Sequence, residues 1–343
     1  MSKWYLATST DSDVIMSTRI RLARNLKDMP FPCRMSHEQK QQVISDVRGA
    51  LENINLGDEY ALTYLDMENM PKSQALAMVE RHLISPEFAE NRKGEGLLLS
   101  KNESVSIMIN EEDHIRIQVI KEGNNADEAL KLANQIDDLL DEHLAYAFDE
   151  RLGYLTQCPT NLGTGLRASV MLHLPLLEST GYIGRIANTI SKLGLTIRGT
   201  YGEGTQVKGA FYQLSNQVTL GISEQAAIEN LIGISNQIVT QERSARKAAQ
   251  TQDILLEDKV CRALGILQNA RIVSSKEFME LISYVRLGVA MGILQSVSLE
   301  NVNSLLADAG PASILAQHGE AASPGRRDKI RADMIRQRLT VHS

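Results

Sequence analysis

Cysteine is scarce in this chain, which contains only Cys33, Cys158 and Cys261 among 343 residues. Because their number is odd, their spacings are wide and no C-x-x-C pair occurs, we expect neither a disulfide framework nor a zinc site. No apolar run approaches the ~20 residues of a membrane span. The first residues also lack the apolar core of a signal peptide. Together these absences favour a reducing, cytoplasmic location.

Positive charge is also in deficit, since 36 Lys and Arg face 42 Asp and Glu and the formal net charge is −6. This balance excludes a protein held to nucleic acid mainly by overall positive charge. The charge is uneven: residues 241–343 contain 14 basic and 11 acidic side chains, so residues 1–240 carry a net −9. No P-loop, protein-kinase or H-E-x-x-H motif occurs. The G-x-G-x-x-A match at 163–168 lacks the preceding strand and following helix of a dinucleotide-binding fold.

The spacing of apolar residues predicts a mixed segment followed by a helical one. Alternation predicts strands at 105–109, 115–119, 168–174, 195–201 and 208–214, and helical periodicity predicts helices at 36–54, 73–84, 126–148 and 178–193. From about residue 223 the strand patterns cease, and helices are predicted at 223–250, 254–270, 274–292, 298–307 and 324–340. We therefore expect an α+β fold, with a mostly antiparallel sheet flanked by helices in residues 1–240 and an all-helical C-terminal domain in residues 241–343.

Arginine recurs among the predicted strands, at Arg19, Arg21, Arg116, Arg167 and Arg198. Side chains alternate along a strand, so Arg19 and Arg21 would project from one face. A buried guanidinium cannot simply lose its proton and therefore demands an anion, and its shape suits bidentate contact with phosphate. The pattern by itself supports two explanations equally: structural ion pairs and a polyphosphate pocket.

Four segments carry a more specific resemblance: STRIRLARN at 17–25, NEEDHIR at 110–116, CPTNLGTGLRASV at 158–170 and RGTYGEG at 198–204. In sequence and in order they resemble the signature blocks of the ATP:guanidino phosphotransferase family, which includes creatine kinase and arginine kinase. The resemblance covers about residues 14–240 and is closer to the bacterial protein-arginine kinases (McsB type). Small-molecule guanidino kinases carry a helical domain ahead of the STR block. Here that block begins at Ser17 and the helical region follows it.

The resemblance implies specific roles for individual residues. Glu112 matches the family's catalytic carboxylate, which can orient a guanidinium nitrogen towards the γ-phosphorus and accept its proton. Cys158 matches the reactive cysteine, although a small buried apolar side chain is the alternative. The implied ATP site consists of Ser17, Thr18, Arg19, Ile20, Arg21, His82, Arg116, Arg167, Ala168, Ser169, Val170, Met171, Arg198, Gly199, Thr200, Tyr201, Gly202 and Glu203.

Further expectations concern the surroundings of that site. Because Met171 stands where relatives often have a histidine, the base should be held by apolar packing. Arg24 could be a sixth phosphate contact or a structural ion pair, and Glu111 and Asp113 should be solvated. Cys33 and Cys261 should be small buried side chains. Mg²⁺ should arrive with ATP, held mainly by phosphate oxygens and water, and we name no protein ligand for it.

The C-terminal sequence R-D-x-x-R-A at 327–332 resembles the phosphoarginine-binding motif of the protein-arginine kinases. On a helix, Arg327 and Arg331 would share a face and could bind a phosphorylated arginine, with Asp328 on its guanidinium and Ala332 beside them. A solvated basic helix end is the alternative. A second apolar set, Leu281, Val285, Val289 and Ile293, could form a dimer contact or internal core.

The resemblance as a whole implies a cytoplasmic, allosterically regulated, homodimeric kinase. It would transfer the γ-phosphoryl group of ATP to arginine side chains of proteins and so mark them for a Clp-type protease in a bacterial stress response. Implied partners are a McsA-like activator, ClpC and the repressor CtsR, with no direct contact to nucleic acid or membrane. Two alternatives remain open: a kinase for free arginine or another small guanidino compound, and a non-catalytic phosphoarginine-binding adaptor.

Overall fold

The computed structural model describes residues 3–52, 56–200, 209–250, 254–319 and 322–340. The strands in these ranges are β1 (Ile15–Arg24), β2 (Leu62–Asp66), β3 (Gly96–Ser100), β4 (Val105–Ile109), β5 (Ile115–Glu122), β6 (Phe148–Asp149), β7 (Gly153–Tyr154), β8 (Leu166–His173), β9 (Leu195–Gly199) and β10 (Phe211–Asn216). The helices are α1 (His37–Ala50), α2 (Lys72–Glu80), α3 (Pro86–Asn91), α4 (Ala126–Asp141), α5 (Pro175–Ser179), α6 (Ile183–Ser191), α7 (Glu224–Gln250), α8 (Ile254–Asn269), α9 (Ser275–Ala290), α10 (Leu299–Asp308), α11 (Pro311–His318) and α12 (Pro324–Leu339).

Eight strands form one sheet in the order β2-β3-β4-β5-β1-β8-β10-β9. Every neighbouring pair in it is antiparallel, and β6 and β7 form a small separate pair. The predicted fold class, an antiparallel sheet flanked by helices and followed by a helical region, is confirmed. In the described ranges, no helix combines the length and the apolar character that crossing a membrane requires.

Two predicted helices differ most from those in the structure. Helix α4 ends at Asp141 rather than at residue 148, because residues 145–147 hydrogen-bond to the backbone of Asn25 and Lys27 instead. The single helix predicted at 178–193 is divided into α5 and α6, with Gly181 between them at a φ of 69°. That left-handed conformation suits glycine and interrupts a right-handed helix.

Strand alternation gives the sheet one apolar and one polar face. On the apolar face, Leu22 of β1, Ile117 of β5 and Val170 of β8 belong to the main hydrophobic core, which helices α1, α4 and α7 cover. The arginines predicted to bind phosphate lie on the opposite face. Arg19 and Arg21 occupy alternate positions of β1, so both side chains project from that face.

Two groups of helices pack against the polar face and leave a cleft between them. Helices α2 and α3 cover β3 and β4 through a small core that includes Phe88 and Met108. The C-terminal helices α8, α9, α10 and α12 form a separate core that also takes in Phe211 of β10. In sheet order, strands β5, β1 and β8 lie between these two groups, so the arginines on them face the cleft.

The C-terminal helices are tied to the sheet by a buried guanidinium. Arg286 of α9 donates to the carbonyl oxygens of Ser12 and Asp13 and lies 3.1 Å from Nδ1 of His173. Of the two alternatives for Leu281, Val285, Val289 and Ile293, the structure supports internal core, since Val285 is fully buried and the other three pack against the same cluster. Helix α7 crosses residue 240, and its first half packs in the sheet's core. The division at 240/241 therefore stays a prediction.

Candidate functional site

Five arginine side chains converge on the cleft face of the sheet. In the strand register, Arg21 of β1 stands opposite Arg167 of β8, and Arg116 of β5 pairs with Ala23. A cavity of about 310 Å³, called the arginine cavity below, is lined by Arg21, Arg116, Arg167 and Arg198 of β9. Arg19 lines a narrow extension of it, and both spaces share Gln213 as a wall. Four strands thus supply a continuous cationic surface.

The two arginines of β1 that face the cleft, Arg19 and Arg21, have no carboxylate partner in the described part of the chain. Arg21 has no hydrogen-bond or ion-pair partner in the described part of the chain, and its Nε is buried. Arg19 donates to the Ser169 hydroxyl and, at 2.7 Å, to the Gln213 amide oxygen. Desolvation and neighbouring guanidinium groups lower the pKa of Arg19 to about 10 and that of Arg21 well below its usual range. Such a cluster is electrostatically suited to an anion with several charges.

Arg24 provides the contrast, because it lies on the other face of the same strand. It is 1% exposed and forms an ion pair with Asp137, with Nη2 2.6 Å from Oδ2. It also donates to the carbonyl oxygens of Ala23 and Thr164. Of the two alternatives for Arg24, the structure therefore supports the ion pair.

An apolar pocket of about 70 Å³ continues the cleft beyond Arg19. Its wall includes Met171, as the expected apolar packing of the base requires, together with Ser17, His82 and Thr200. Burial and the nearby Arg19 lower the pKa of His82 to about 4, so its imidazole is neutral at pH 7. Sequence reasoning missed the other apolar members because they come from four distant segments: Trp4, Tyr5, Met16, Phe211, Met279, Leu306 and Ala307.

Glu112 stands where the arginine cavity meets a second cavity of about 860 Å³. Both cavities are lined by Glu112 and Arg116. The Glu112 carboxylate is 37% exposed and lies 2.9 Å from Nη2 of Arg116. Its neighbour Glu111 pairs with the other arm of the same guanidinium at 2.5 Å, but its side chain is almost completely buried. The carboxylate that faces both spaces is therefore that of Glu112.

Comparison with known proteins agrees with this geometry. Residues 42–245 match the family model for the ATP:guanido phosphotransferase C-terminal catalytic domain, and residues 253–343 match that for the protein-arginine kinase McsB C-terminal domain. The chain is 48% identical over 330 residues to the protein-arginine kinase of Caldanaerobacter subterraneus subsp. tengcongensis, covering 96% of this chain and 98% of that one. It is 45% identical over 342 residues to that of a Geobacillus strain, covering 99% and 94%.

The chain belongs to the protein-arginine kinase family. Solved structures with a similar fold include the duplicated taurocyamine kinase from Schistosoma mansoni with bound transition state analog components, at a TM-score of 0.62 and 26% identity over 79% of this chain and 40% of that one. Lombricine kinase is similar at a TM-score of 0.60 and 26% identity, over 70% of this chain and 69% of that one. These similarities confirm the resemblance drawn from the four sequence segments.

Within this protein-arginine kinase fold, several residues proposed for the ATP site are on the wrong face. Thr18, Ile20, Ala168 and Val170 are fully buried on the apolar side of the sheet. Their neighbours at odd positions, Ser17 and Ser169, line the cleft. The prediction is corrected for these four side chains because a strand can present only alternate residues to a ligand. Their backbone groups are also committed to the strand ladder between β1 and β8.

The remaining proposed site residues fall into three groups. Cys158 is half-buried and lines the arginine cavity, where its Sγ lies 3.1 Å from the Thr160 hydroxyl. Gly199 ends β9, and Thr200 donates to the carbonyl oxygen of Phe211. Tyr201, Gly202 and Glu203 lie outside the described residues.

Two expectations about surrounding side chains are wrong. Cys33 and Cys261 are exposed rather than buried. The side chains of Glu111 and Asp113 are buried rather than solvated. Asp113 accepts hydrogen bonds from the Asn25 amide and the Gln157 backbone, so it shapes the turn that carries Glu112. The alternation of apolar and polar residues could not reveal that these side chains are buried, because their contacts come from distant loops.

The proposed phosphoarginine motif, residues 327–332, lies in the N-terminal part of helix α12. Arg331 is 1% exposed, and its guanidinium donates to the carbonyl oxygens of Val273 and Ala309 and to Asp328. Ala332 is fully buried, whereas Arg327 is half-buried. The expected pair of arginines on one accessible face is therefore corrected: Arg331 holds the helical domain together, and its partner Asp328 is already engaged. Arg327 remains as the accessible member.

The described residues contain no group of three or more His, Cys, Asp or Glu side chains arranged to hold a metal ion. The donor set of the cleft is dominated by guanidinium groups, which repel cations and attract phosphate. The residues present therefore fit a polyphosphate. Mg²⁺ bound through that polyphosphate and water remains a prediction.

Proposed function

We propose that this protein transfers the γ-phosphoryl group of ATP to arginine side chains of other proteins. The observation that carries the proposal is the position of Glu112, on the boundary between a cationic cavity and a second one whose wall holds four carboxylates beside three cations. A phosphate donor suits the first, and a guanidinium acceptor suits the second. The names of the relatives, which match over nearly their whole length, support the same activity.

In the proposed reaction, the arginine cluster binds and orients the phosphates. Arg19 and Arg21 would contact the nucleotide from the cleft face of the sheet. Arg21 has no carboxylate partner among the described residues. Arg116 is held between two carboxylates and is the arginine closest to Glu112 along the chain. Fixed cations around a transferring phosphoryl group stabilise the charge that spreads over its oxygens. When bound with the nucleotide, Mg²⁺ would add further charge neutralisation.

Glu112 acts on the acceptor. Its carboxylate hydrogen-bonds the substrate guanidinium, directs one nitrogen at the γ-phosphorus and takes the proton from that nitrogen. A nitrogen–phosphorus bond forms as the bond between the γ-phosphorus and the bridging oxygen breaks. ADP leaves with the electron pair of that bond, and the product is a phosphoarginine side chain. Cys158 lines the arginine cavity, as Glu112 does, and we propose that its sulfur contacts the guanidinium edge once the acceptor nitrogen reaches the γ-phosphorus.

The test is a comparison of the protein with its Glu112→Gln variant. Both are incubated with ATP and either a protein substrate or free arginine, and acid-labile phosphoarginine is measured by mass spectrometry at neutral pH. Loss of a general base typically lowers turnover by about 10²–10⁴-fold, so the variant should lose the protein product while still binding ATP. Transfer to free arginine but not to proteins would favour a small-molecule guanidino kinase. Equal product from both forms would remove Glu112 from the mechanism.

We propose further that the product marks proteins for a Clp-type protease in a bacterial stress response, with a McsA-like activator, ClpC and CtsR as partners, in the cytoplasm and as a homodimer. The match of residues 253–343 to the McsB C-terminal domain supports this. We also keep the proposed division into a catalytic domain, 1–240, and a helical regulatory domain, 241–343. Binding of ClpC to a substrate only after its phosphorylation is the expected result, and equal binding before and after would contradict it.

A further inference from the structure

The larger cavity beside Glu112, called the acidic cavity here for its carboxylates, also has basic groups in its wall. Four carboxylates line it: Glu87, Glu95, Glu111 and Glu112. Basic groups in its wall are Lys40 of α1, Lys93 before β3, and Arg116, with His37 beside them. Three of the four carboxylates are readily explained. Glu87 is exposed to solvent, and Glu111 and Glu112 pair with the two arms of Arg116.

Glu95 has no such explanation. It is 4% exposed, and its Oε2 is buried without a hydrogen-bond partner in the described part of the chain. No described cation lies within ion-pair distance of it. Lys40 also lines the cavity, but its Nζ is directed at the carbonyl oxygen of Lys93, 3.5 Å away. A carboxylate in this position has been removed from water without compensation.

The physical cost of this arrangement is considerable. Burial, reinforced by repulsion from Glu111 and only partly offset by Lys40, raises the pKa of Glu95 to about 8. A buried unpaired carboxylate destabilises a fold by several kcal/mol, and a neutral amide of the same shape costs less. Buried polar groups without partners are rare in native proteins and require a reason. Because this one lines a cavity next to the proposed transfer point, a ligand is the natural reason.

We propose that Glu95 is a binding residue for the guanidinium of the substrate arginine, in addition to Glu112. The proposal rests on the proposed function, since it takes the acidic cavity as the acceptor side. A guanidinium has five N–H donors on different edges, so one carboxylate cannot satisfy it. Glu112 engages the edge that reacts, and Glu95 engages the cation from the interior of the cavity. When the substrate binds in the cavity, its guanidinium supplies the positive partner that Glu95 lacks in the described part of the chain.

The experiment compares Glu95→Gln with the matched control Glu87→Gln, which removes one carboxylate from the same cavity at an exposed position. Steady-state kinetics are measured with an arginine-containing peptide at pH 8.5, where Glu95 of the wild type is mostly ionised. A hydrogen bond to a charged group contributes about 1.5–3 kcal/mol, so KM for the peptide should rise about 10- to 100-fold in Glu95→Gln. Turnover and KM for ATP should stay within about twofold, because a lost ground-state contact acts on KM.

Glu87→Gln should raise KM for the peptide less than about threefold. Equal effects of the two variants would assign the result to the general acidity of the cavity and overturn the proposal. An unchanged KM in Glu95→Gln would overturn it as well, because a carboxylate that binds the substrate guanidinium cannot be replaced by an amide without weakening that binding. Thermal unfolding of each variant verifies that the fold is retained.

A binding measurement separates this proposal from the proposed function. Calorimetry with the same peptide and with its citrulline counterpart, which is neutral but similar in shape, requires no phosphoryl transfer. Wild type should prefer the arginine peptide by at least about tenfold, and Glu95→Gln should lose most of that preference. If wild type binds both peptides equally, Glu95 does not recognise guanidinium. If it discriminates but forms no phosphoarginine, the proposed function fails and the assignment of Glu95 stands.

Discussion

The carboxylate of Glu80 caps the first turn of helix α11, where it accepts hydrogen bonds from both the backbone amide and the hydroxyl of Ser313 at 2.8 Å. It also accepts from the amide of Ala312 at 2.8 Å. Gly310 makes room for it, because a Cβ there would overlap the Glu80 carboxylate. Glu80 ends α2, two residues before His82 in the apolar pocket. This cap therefore connects the C-terminal helices to the proposed nucleotide site.

Replacing Glu80 by alanine should weaken both parts of that connection. Charge-assisted hydrogen bonds contribute about 1.5–3 kcal/mol, and we expect a loss of free energy of unfolding in that range, together with a several-fold increase in KM for ATP. Denaturant unfolding and ATP kinetics measure the two effects. Glu229→Ala, at an exposed position on α7, is the control. Lost stability with normal ATP kinetics would show that the cap is purely structural.

Arg21 and Arg24 should respond oppositely to methionine substitution. Breaking the buried pair of Arg24 with Asp137 leaves an uncompensated charge and should cost about 3–5 kcal/mol of stability. Arg21 has no such partner among the described residues, so Arg21→Met should leave thermal stability equal or higher. Its kcat/KM should nevertheless fall about 10²–10³-fold, as expected for loss of one group that stabilises the transition state. An active Arg21→Met protein would contradict the proposed phosphate site.

Trp4 should report nucleotide binding by fluorescence. It is the only tryptophan in the sequence, it lines both spaces at the apolar end of the cleft, and its indole N–H is buried without a described partner. We expect ATP to change the wavelength or intensity of its emission in a saturable manner. The signal should be absent in Trp4→Phe and weakened in Arg21→Met. No change at saturating ATP would place the base elsewhere.

Glu95 should make the stability of the protein depend on pH. Its pKa is raised from the ordinary 4.5 to about 8, so between these values the folded protein retains a proton that the unfolded chain releases. Stability from this group is therefore present below about pH 4.5 and decreases as the pH rises through 8. Glu95→Gln should be more stable than wild type at pH 8.5 by about 2–4 kcal/mol and nearly equal at pH 5. Denaturant unfolding at both pH values measures this, and a constant difference would refute it.

The two arginines of the C-terminal motif should separate a structural role from a binding role. Arg331→Ala removes donors to two backbone carbonyl groups and to Asp328 in a buried site, and should cost about 3–5 kcal/mol. Arg327→Ala should change stability by less than about 0.5 kcal/mol. If the helix end binds phosphoarginine as proposed, Arg327→Ala should weaken that binding at least tenfold in calorimetry. Equal binding by wild type and Arg327→Ala would favour a solvated helix end.

Much of the fold follows from local pattern. The alternation at 105–109 and 115–119 predicts β4 and β5, and the same alternation puts Arg19 and Arg21 on one face. The four signature segments are sufficient by themselves to indicate the family. For one wrong prediction, a distant contact decided the outcome. Helix α4 stops at Asp141 because residues 145–147 pair with a segment more than 100 residues earlier in the chain.

The sequence by itself indicated the family, and it predicted arginines for phosphate with Glu112 as the catalytic carboxylate beside them. It could not determine which of those side chains meet. Arg21 and Arg24 are three residues apart and look alike in the sequence, yet one lies in the cleft without a described carboxylate partner and the other is locked to Asp137. Burial and pairing depend on what packs against each face, and those partners come from remote parts of the chain. For the same reason, only the tertiary structure reveals Glu95 as a buried carboxylate beside the site, unpaired among the described residues.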